Sequence, residues 1–158
     1  MSRIVPSILF VCLGNICRSP TAEGIAEVRS EQMGLAVKLD SAGTGEWHIG
    51  HPPDPRAIAE AARHDTRIHH LRARQIQPED FTRFDHIVAM DHENLANLKR
   101  LQPAGSTAKL SLLLDHVPGR EGQAVADPYY GDEKDFELCW QDCDAGVRGL
   151  LASLQASG

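Results

Sequence analysis

Ile8-Leu9-Phe10-Val11-Cys12-Leu13-Gly14-Asn15-Ile16-Cys17-Arg18-Ser19-Pro20 is the stretch that decides the fold. A short apolar run with β-branched and aromatic residues ends at a glycine-bearing loop, and the loop leads into a helical pattern. The reading is a buried strand over 4–11, a tight loop, and a helix from Pro20 to Met33 that stops at Gly34. Ser19 has the chemistry of an N-cap, and Pro20 suits the first helical position. The loop's backbone N–H groups then converge with the helix N-terminus on one small volume that favours an anion. A thiol, Cys12, and a guanidinium, Arg18, stand inside it.

Further along, residues 36–42 alternate roughly by two and end at Gly43-Thr44-Gly45, a second strand and its turn. Strand, helix, strand is the βαβ unit of a parallel sheet. Residues 46–55 mix Trp47 with glycine and prolines and read as a surface loop, with a helix opening at Asp54 or Pro55. After an irregular stretch over 64–77 come one helical turn at 78–81 and a third buried strand at 85–90. A helix follows over 93–101, with Leu95, Leu98 and Leu101 on one face, and then a fourth strand at 109–114. Residues 115–131 form a long loop, the kind that carries function on a compact domain. The closing helix, 132–154, shows a stripe of Phe136, Cys139, Trp140, Cys143, Val147, Leu150, Leu151 and Leu154 at helical spacing.

Composition sets the limits. A chain of 158 residues, 42% hydrophobic and 24% charged, reads as one soluble domain over residues 1–158 with a real core. A formal net charge of −6 argues against nucleic acid or an anionic membrane as partner, so any anion site is local. There is no signal-peptide pattern and no apolar run of membrane-spanning length, which makes the cytoplasm the expected compartment. Four cysteines are too sparse for a secreted disulfide framework. The histidines lack ligand spacing and most of them read as surface residues, a zinc site built from the cysteines conflicts with the anion loop, and no GxxxxGK motif is present. No metal and no cofactor are expected. Composition sets no oligomeric state.

The spacing of Cys12 and Arg18 suits phosphoryl chemistry. Backbone N–H groups curl around three phosphate oxygens while Arg18 returns to make a bidentate contact. A free thiol near pKa ~8.5 falls to roughly 3.5–7.5 beside a helix N-terminus or a cation, which makes Cys12 a candidate thiolate nucleophile. Gly14 permits close approach, Asn15 tolerates left-handed geometry, and the Ser19 hydroxyl is placed to hydrogen-bond the sulfur. An oxygen leaving group needs a proton donor, and Asp127 in Ala126-Asp127-Pro128-Tyr129-Tyr130-Gly131 is the candidate. Its loop follows the fourth strand and so reaches the sheet edge where the Cys12 loop lies. Trp47, Tyr129 and Tyr130 are candidate aromatic walls for a planar leaving group.

These residues resemble the low-molecular-weight protein tyrosine phosphatase family, in the branch with an aromatic-walled cleft shared by eukaryotic and some bacterial members. The likeness rests on Cys12 through Pro20 and on Asp127-Pro128-Tyr129-Tyr130, and it extends to Asp40-Ser41-Ala42-Gly43-Thr44, Pro53-Asp54-Pro55-Arg56, Ala73-Arg74-Gln75-Ile76 and Met90-Asp91. The resemblance implies an α/β fold: a four-stranded parallel twisted sheet flanked by helices on both faces, with the phosphate loop between first strand and first helix. It implies a metal-independent phosphocysteine mechanism in which Cys12 is nucleophile, Arg18 clamps phosphate, and Asp127 is first acid and then base. Leu13, Gly14, Asn15, Ile16, Cys17, Ser19 and Ser41 would form and support the phosphate loop, with Asn15 and Ser41 holding its shape and Ser19 stabilising the thiolate. The implied substrates are tyrosine-phosphorylated proteins or small aryl phosphates. In many eukaryotic members a histidine before the Ala-Arg-Gln segment pairs with the aspartate matching Asp91. Here that position is Leu71, with His69 and His70 nearby.

Other readings stand beside this one. Arginine phosphatases of this fold carry threonine where this chain has Ile16. Arsenate reductases of this fold use further downstream cysteines, whereas none lies here between Cys17 and Cys139. A phosphate-binding or redox-sensing module would keep the loop but have no need of Asp127. Cys17 is either a packing thiol or a disulfide partner for oxidised Cys12. Trp47 alone could simply pack on its loop, and an isolated Asp127 would be an ordinary turn aspartate.

Overall fold

The computed structural model describes residues 5–157. Four strands form one sheet: β1 (Ser7–Cys12), β2 (Lys38–Gly43), β3 (His86–Ala89) and β4 (Lys109–Leu112). All neighbours are parallel, in the order β2-β1-β3-β4. The helices are α1 (Arg18–Met33), α2 (Pro55–Arg63), α3 (Asp80–Arg83), α4 (His92–Leu101) and α5 (Glu133–Ser157), with a 3₁₀ turn at Leu113–His116.

Strand β1 is central, and its alternation divides the core. Ile8, Phe10 and Cys12 face a cluster that includes Ile25 of α1 and Val147, Leu150 and Leu151 of α5. Leu9 and Val11 face a second cluster with Phe81 of α3 and Leu98 of α4. Because successive side chains point to opposite faces, a strand buried at every position must be covered twice, which puts helices on both sides of the sheet. The chain leaves β1 toward β2 on one side and later fills β3 on the other. The carboxyl end of β1 is therefore the point where strand order reverses, the usual place for a ligand crevice.

Several boundaries differ from the sequence reading. The expected start of the first strand, Ile4, lies outside the described residues, and the strand begins at Ser7 just after Pro6, which has no N–H to donate. Helix α1 opens at Arg18, so Ser19 is inside the helix and is not its cap; the capping position is Cys17, with no side-chain cap. In α4 only Leu98 of the three leucines is fully buried, and Leu101 is exposed at the last turn. The fourth strand ends at Leu112, because Leu113 and Leu114 turn into the core as 3₁₀. Helix α5 seats that turn closely. A Cβ on Gly149 would lie 1.9 Å from the His116 carbonyl oxygen, and one on Gly146 would lie 2.4 Å from Leu113 Cγ.

Candidate active site

The loop between β1 and α1 is fixed by a buried polar relay. Asn15 adopts a left-handed φ of 57°, a conformation its short polar side chain makes accessible. That turn brings the Asn15 N–H to 3.3 Å from Cys12 Sγ. Its side-chain amide donates to Ser19 Oγ at 2.7 Å and to Ser41 Oγ at 3.0 Å. The amide oxygen accepts from the Arg74 N–H at 3.0 Å, which sets the orientation of the group. Since Ser19 Oγ accepts from Asn15, its own proton is directed to Cys12 Sγ, 3.0 Å away. Ser41 in turn donates to Glu23 Oε1 at 2.6 Å.

Burial pushes the Glu23 carboxyl up to about 7, with Asp40 and Glu27 adding to the rise against the Ser41 hydrogen bond and Arg74. Position 23 on a helix gives no hint of this in sequence, because its environment is made by Ser41 on the neighbouring strand. Gly43 also matters. A Cβ there would sit 2.7 Å from the Leu13 carbonyl oxygen, so only glycine lets the loop lie against the end of β2.

Arg18 is buried, and its guanidinium donates to Asp91 Oδ2 at 2.7 Å and to the Val125 carbonyl at 3.0 Å. Burial opposes its charge, but Cys12, Asp91 and Asp127 outweigh that and hold its pKa above the ordinary value. Asp91 thus has a partner in place of the absent histidine: it takes Arg18 with one oxygen and caps α4 through the Asn94 N–H with the other. Leu71 instead packs against the larger core cluster.

Asp127 comes from the loop after β4, and its carboxylate lies 3.6 Å from Arg18 Nη2. The side chain is 43% exposed, and one oxygen accepts from the Tyr129 N–H at 3.1 Å. Cys12, Arg18 and Asp127 share one cleft of about 370 Å³, floored by Leu13, Gly14, Ile16 and Cys17. Trp47, Tyr129 and Tyr130 line it together with His48, which the sequence does not single out. Trp47 is largely exposed yet stands directly over Gly45, where a Cβ would meet its ring at 1.9 Å. Tyr129 and Tyr130 meet edge to face, with centroids 4.9 Å apart.

Cys17 is buried, and burial raises its pKa, with Asp54, Cys12 and Asp127 adding to the rise. All four cysteines are unpaired, and Cys139 and Cys143 lie in the core as expected. Among the described residues, no group of histidine, cysteine and carboxylate side chains is arranged to hold a metal ion.

A thiol beneath a helix N-terminus, a buried arginine and a carboxyl face one cleft at the strand-order reversal of a parallel α/β sheet, an arrangement chemically suited to a phosphate ester. Comparison with known proteins narrows this. Residues 7–158 match the family described as low molecular weight phosphotyrosine protein phosphatase, and the chain belongs to that family. A Streptomyces coelicolor low molecular weight protein-tyrosine-phosphatase is 44% identical over 153 residues, covering 94% of this chain and 93% of its own. The Schizosaccharomyces pombe relative, a low molecular weight phosphotyrosine protein phosphatase, is 43% identical over 136 residues, 84% of this chain and 86% of its own. The crystal structure of YfkJ from Bacillus subtilis superposes with a TM-score of 0.91 at 40% identity, covering 99% of both chains.

Proposed function

We propose that the protein hydrolyses phosphotyrosine on proteins, and small aryl phosphates, through a phosphocysteine intermediate formed on Cys12. The observation that carries this is the shared cleft: Cys12 Sγ, the Arg18 guanidinium and the Asp127 carboxyl face one volume, with Arg18 and Asp127 3.6 Å apart. In the first step Cys12 Sγ attacks phosphorus in line, and the bond to the leaving phenolic oxygen breaks as Asp127 gives that oxygen a proton. Arg18 and the loop N–H groups take the charge on the non-bridging oxygens. In the second step Asp127 removes a proton from water, whose oxygen attacks phosphorus and returns the thiolate. Asn15, Ser19 and Ser41 hold the loop in the attacking geometry and direct a hydroxyl proton to the sulfur. None of these steps requires a metal or cofactor.

The aromatic residues favour an aryl ester, because Trp47 and Tyr129 line the same cleft as Cys12. Four unpaired cysteines fit a reducing compartment, so the cytoplasm is the proposed location. No described helix is long and apolar enough to cross a membrane.

The test is p-nitrophenyl phosphate hydrolysis with a chelator present. Wild type is expected to turn over, and Cys12→Ser to lose essentially all activity. An inactive wild type, or a Cys12→Ser variant at full rate, contradicts the mechanism. On matched peptides, phosphotyrosine should be hydrolysed and phosphoserine left nearly untouched, and equal rates would overturn the cleft argument.

A further inference from the structure

The Asp127 loop is tied down at two points that straddle the carboxyl group. On its N-terminal side the Val125 N–H donates to the Met90 carbonyl at 2.8 Å, and Arg18 holds the Val125 carbonyl. On its C-terminal side the contacts come from a second arginine, Arg56, in the first turn of α2. Arg56 Nη2 donates to the Tyr129 carbonyl at 2.9 Å, and Nη1 reaches the Gly131 carbonyl at 3.4 Å. Between the two anchors lie Ala126, Asp127 and Pro128, with the Asp127 side chain open to solvent.

Arg56 is itself fixed. Its Nε and Nη2 grip the Asp54 carboxylate at 3.1 and 2.9 Å, and its guanidinium lies 4.5 Å from the Phe136 ring centroid and 5.7 Å from that of Tyr129. Asp54 caps α2 through the Arg56 N–H, and its own N–H donates to the Ile16 carbonyl at 2.8 Å, in the phosphate loop. One short path thus joins the two loops of the cleft: Ile16, Asp54, Arg56, then Tyr129 and Gly131. A planar guanidinium can hold a carboxylate, two carbonyls and a ring face at once, whereas a lysine cannot.

We propose that Arg56 is a positioning residue for proton transfer, clamping the Asp127 loop to the Cys12 loop so that the acid faces the leaving oxygen. The proposal rests on the phosphatase reading given above. Arg56 is not among the residues lining the cleft, and it acts through the Tyr129 and Gly131 carbonyls. Its effect should therefore appear only where a proton is needed.

The test compares wild type, Arg56→Ala and Arg56→Lys on two esters: tyrosine phosphate, whose leaving oxygen needs a proton, and 2,4-dinitrophenyl phosphate, whose leaving oxygen does not. General acid catalysis contributes about 10²–10⁴-fold, and loosening the acid forfeits part of it, so Arg56→Ala should lower kcat/KM on tyrosine phosphate about tenfold. On the dinitrophenyl ester the loss should be less than about twofold, and Arg56→Lys should recover only part of the tyrosine phosphate rate. In an Asp127→Asn background the same substitution should cost nothing further. Equal losses on both esters, or a full additional loss in that background, overturn the assignment. Backbone amide resonances give a readout without turnover. Those of 127–131 should shift in Arg56→Ala while those of Cys12 to Ser19 stay in place, and unmoved loop resonances contradict the clamp whatever the rates. A wild type that leaves aryl phosphates intact contradicts the phosphatase reading instead.

Discussion

From Cys12 to Ser19 the chain is buried at all but Leu13 and Gly14, and its side chains bond to one another and to β2, α1 and the segment at Arg74. From Val125 to Gly131 only Val125 and Pro128 are buried, and the loop is held mainly by two arginines acting on backbone carbonyls. In the proposed mechanism the phosphate side of the cleft is built as part of the core, while the leaving-group side is presented from the surface. Phosphate is the same in every substrate, so its cradle can be rigid. The group it is attached to varies, and the aromatic rim that meets it, Trp47 and Tyr130 above all, is exposed. Substitutions in the first loop should therefore cost stability and activity together, and those in the second should cost activity alone.

After the loss of Cys12 itself, the largest effect is expected at Asp127. Asp127→Asn should lower kcat/KM on phosphotyrosine by about 10²–10⁴-fold, with the thermal midpoint nearly unchanged because the side chain is exposed. A large drop in midpoint would mean that the open loop is structural after all. Asn15→Ala should come next, and it should break both properties. It strands Ser19, Ser41 and the Arg74 N–H and leaves an alanine at positive φ, at a cost of roughly 2–4 kcal/mol in stability. Denaturant unfolding measures that cost, and a change below about 0.5 kcal/mol would contradict a preformed phosphate loop.

A smaller effect is expected at Glu23, at the far end of the relay. In the folded protein it keeps its proton up to about pH 7, while unfolded it titrates near the ordinary ~4.3. The folded state thus binds more protons between those values, and the stability this contributes is present at low pH and lost as pH rises to about 7. Glu23→Gln, neutral throughout, should gain roughly 2 kcal/mol on wild type between pH 5 and pH 8. An equal stability difference at both pH values would show that Glu23 titrates as an exposed carboxylate. The smallest effect is expected at Tyr130, which is 94% exposed: Tyr130→Ala should raise KM for a phosphotyrosine peptide about threefold with little change in the midpoint, as fits a partly solvated aromatic contact. A change in midpoint of several degrees would place it in the core instead.

How much of this was legible in the sequence follows the same division. The phosphate loop is legible because its chemistry is contiguous: the apolar strand, the loop and the helix start lie next to one another, and periodicity gives the parallel βαβ unit around them, while the full four-stranded architecture is what the family resemblance implies. Asp127 and its tyrosines were legible as a short cluster in a long loop. Residues whose roles arise from tertiary contact were not. Glu23 looks like any helix glutamate until Ser41 is set beside it, His48 is one histidine among eight, and Arg56 sits on a helix far in sequence from the loop it holds. Asp91 lacked its expected histidine partner in sequence, and the structure supplies Arg18. The residue type of Ser19 and the proline after it suit a helix cap, but the sulfur at 3.0 Å and the Asn15 amide draw its side chain into the relay.

The central claim is that phosphate passes through Cys12 Sγ. The most direct measurement is to mix the enzyme with 32P-labelled aryl phosphate, quench in denaturant within milliseconds, digest, and map the label. The account predicts radioactivity on the peptide carrying Cys12, held through sulfur and absent from Cys12→Ser. Label on another residue, or steady turnover with no covalent phosphate at any quench time, would contradict it.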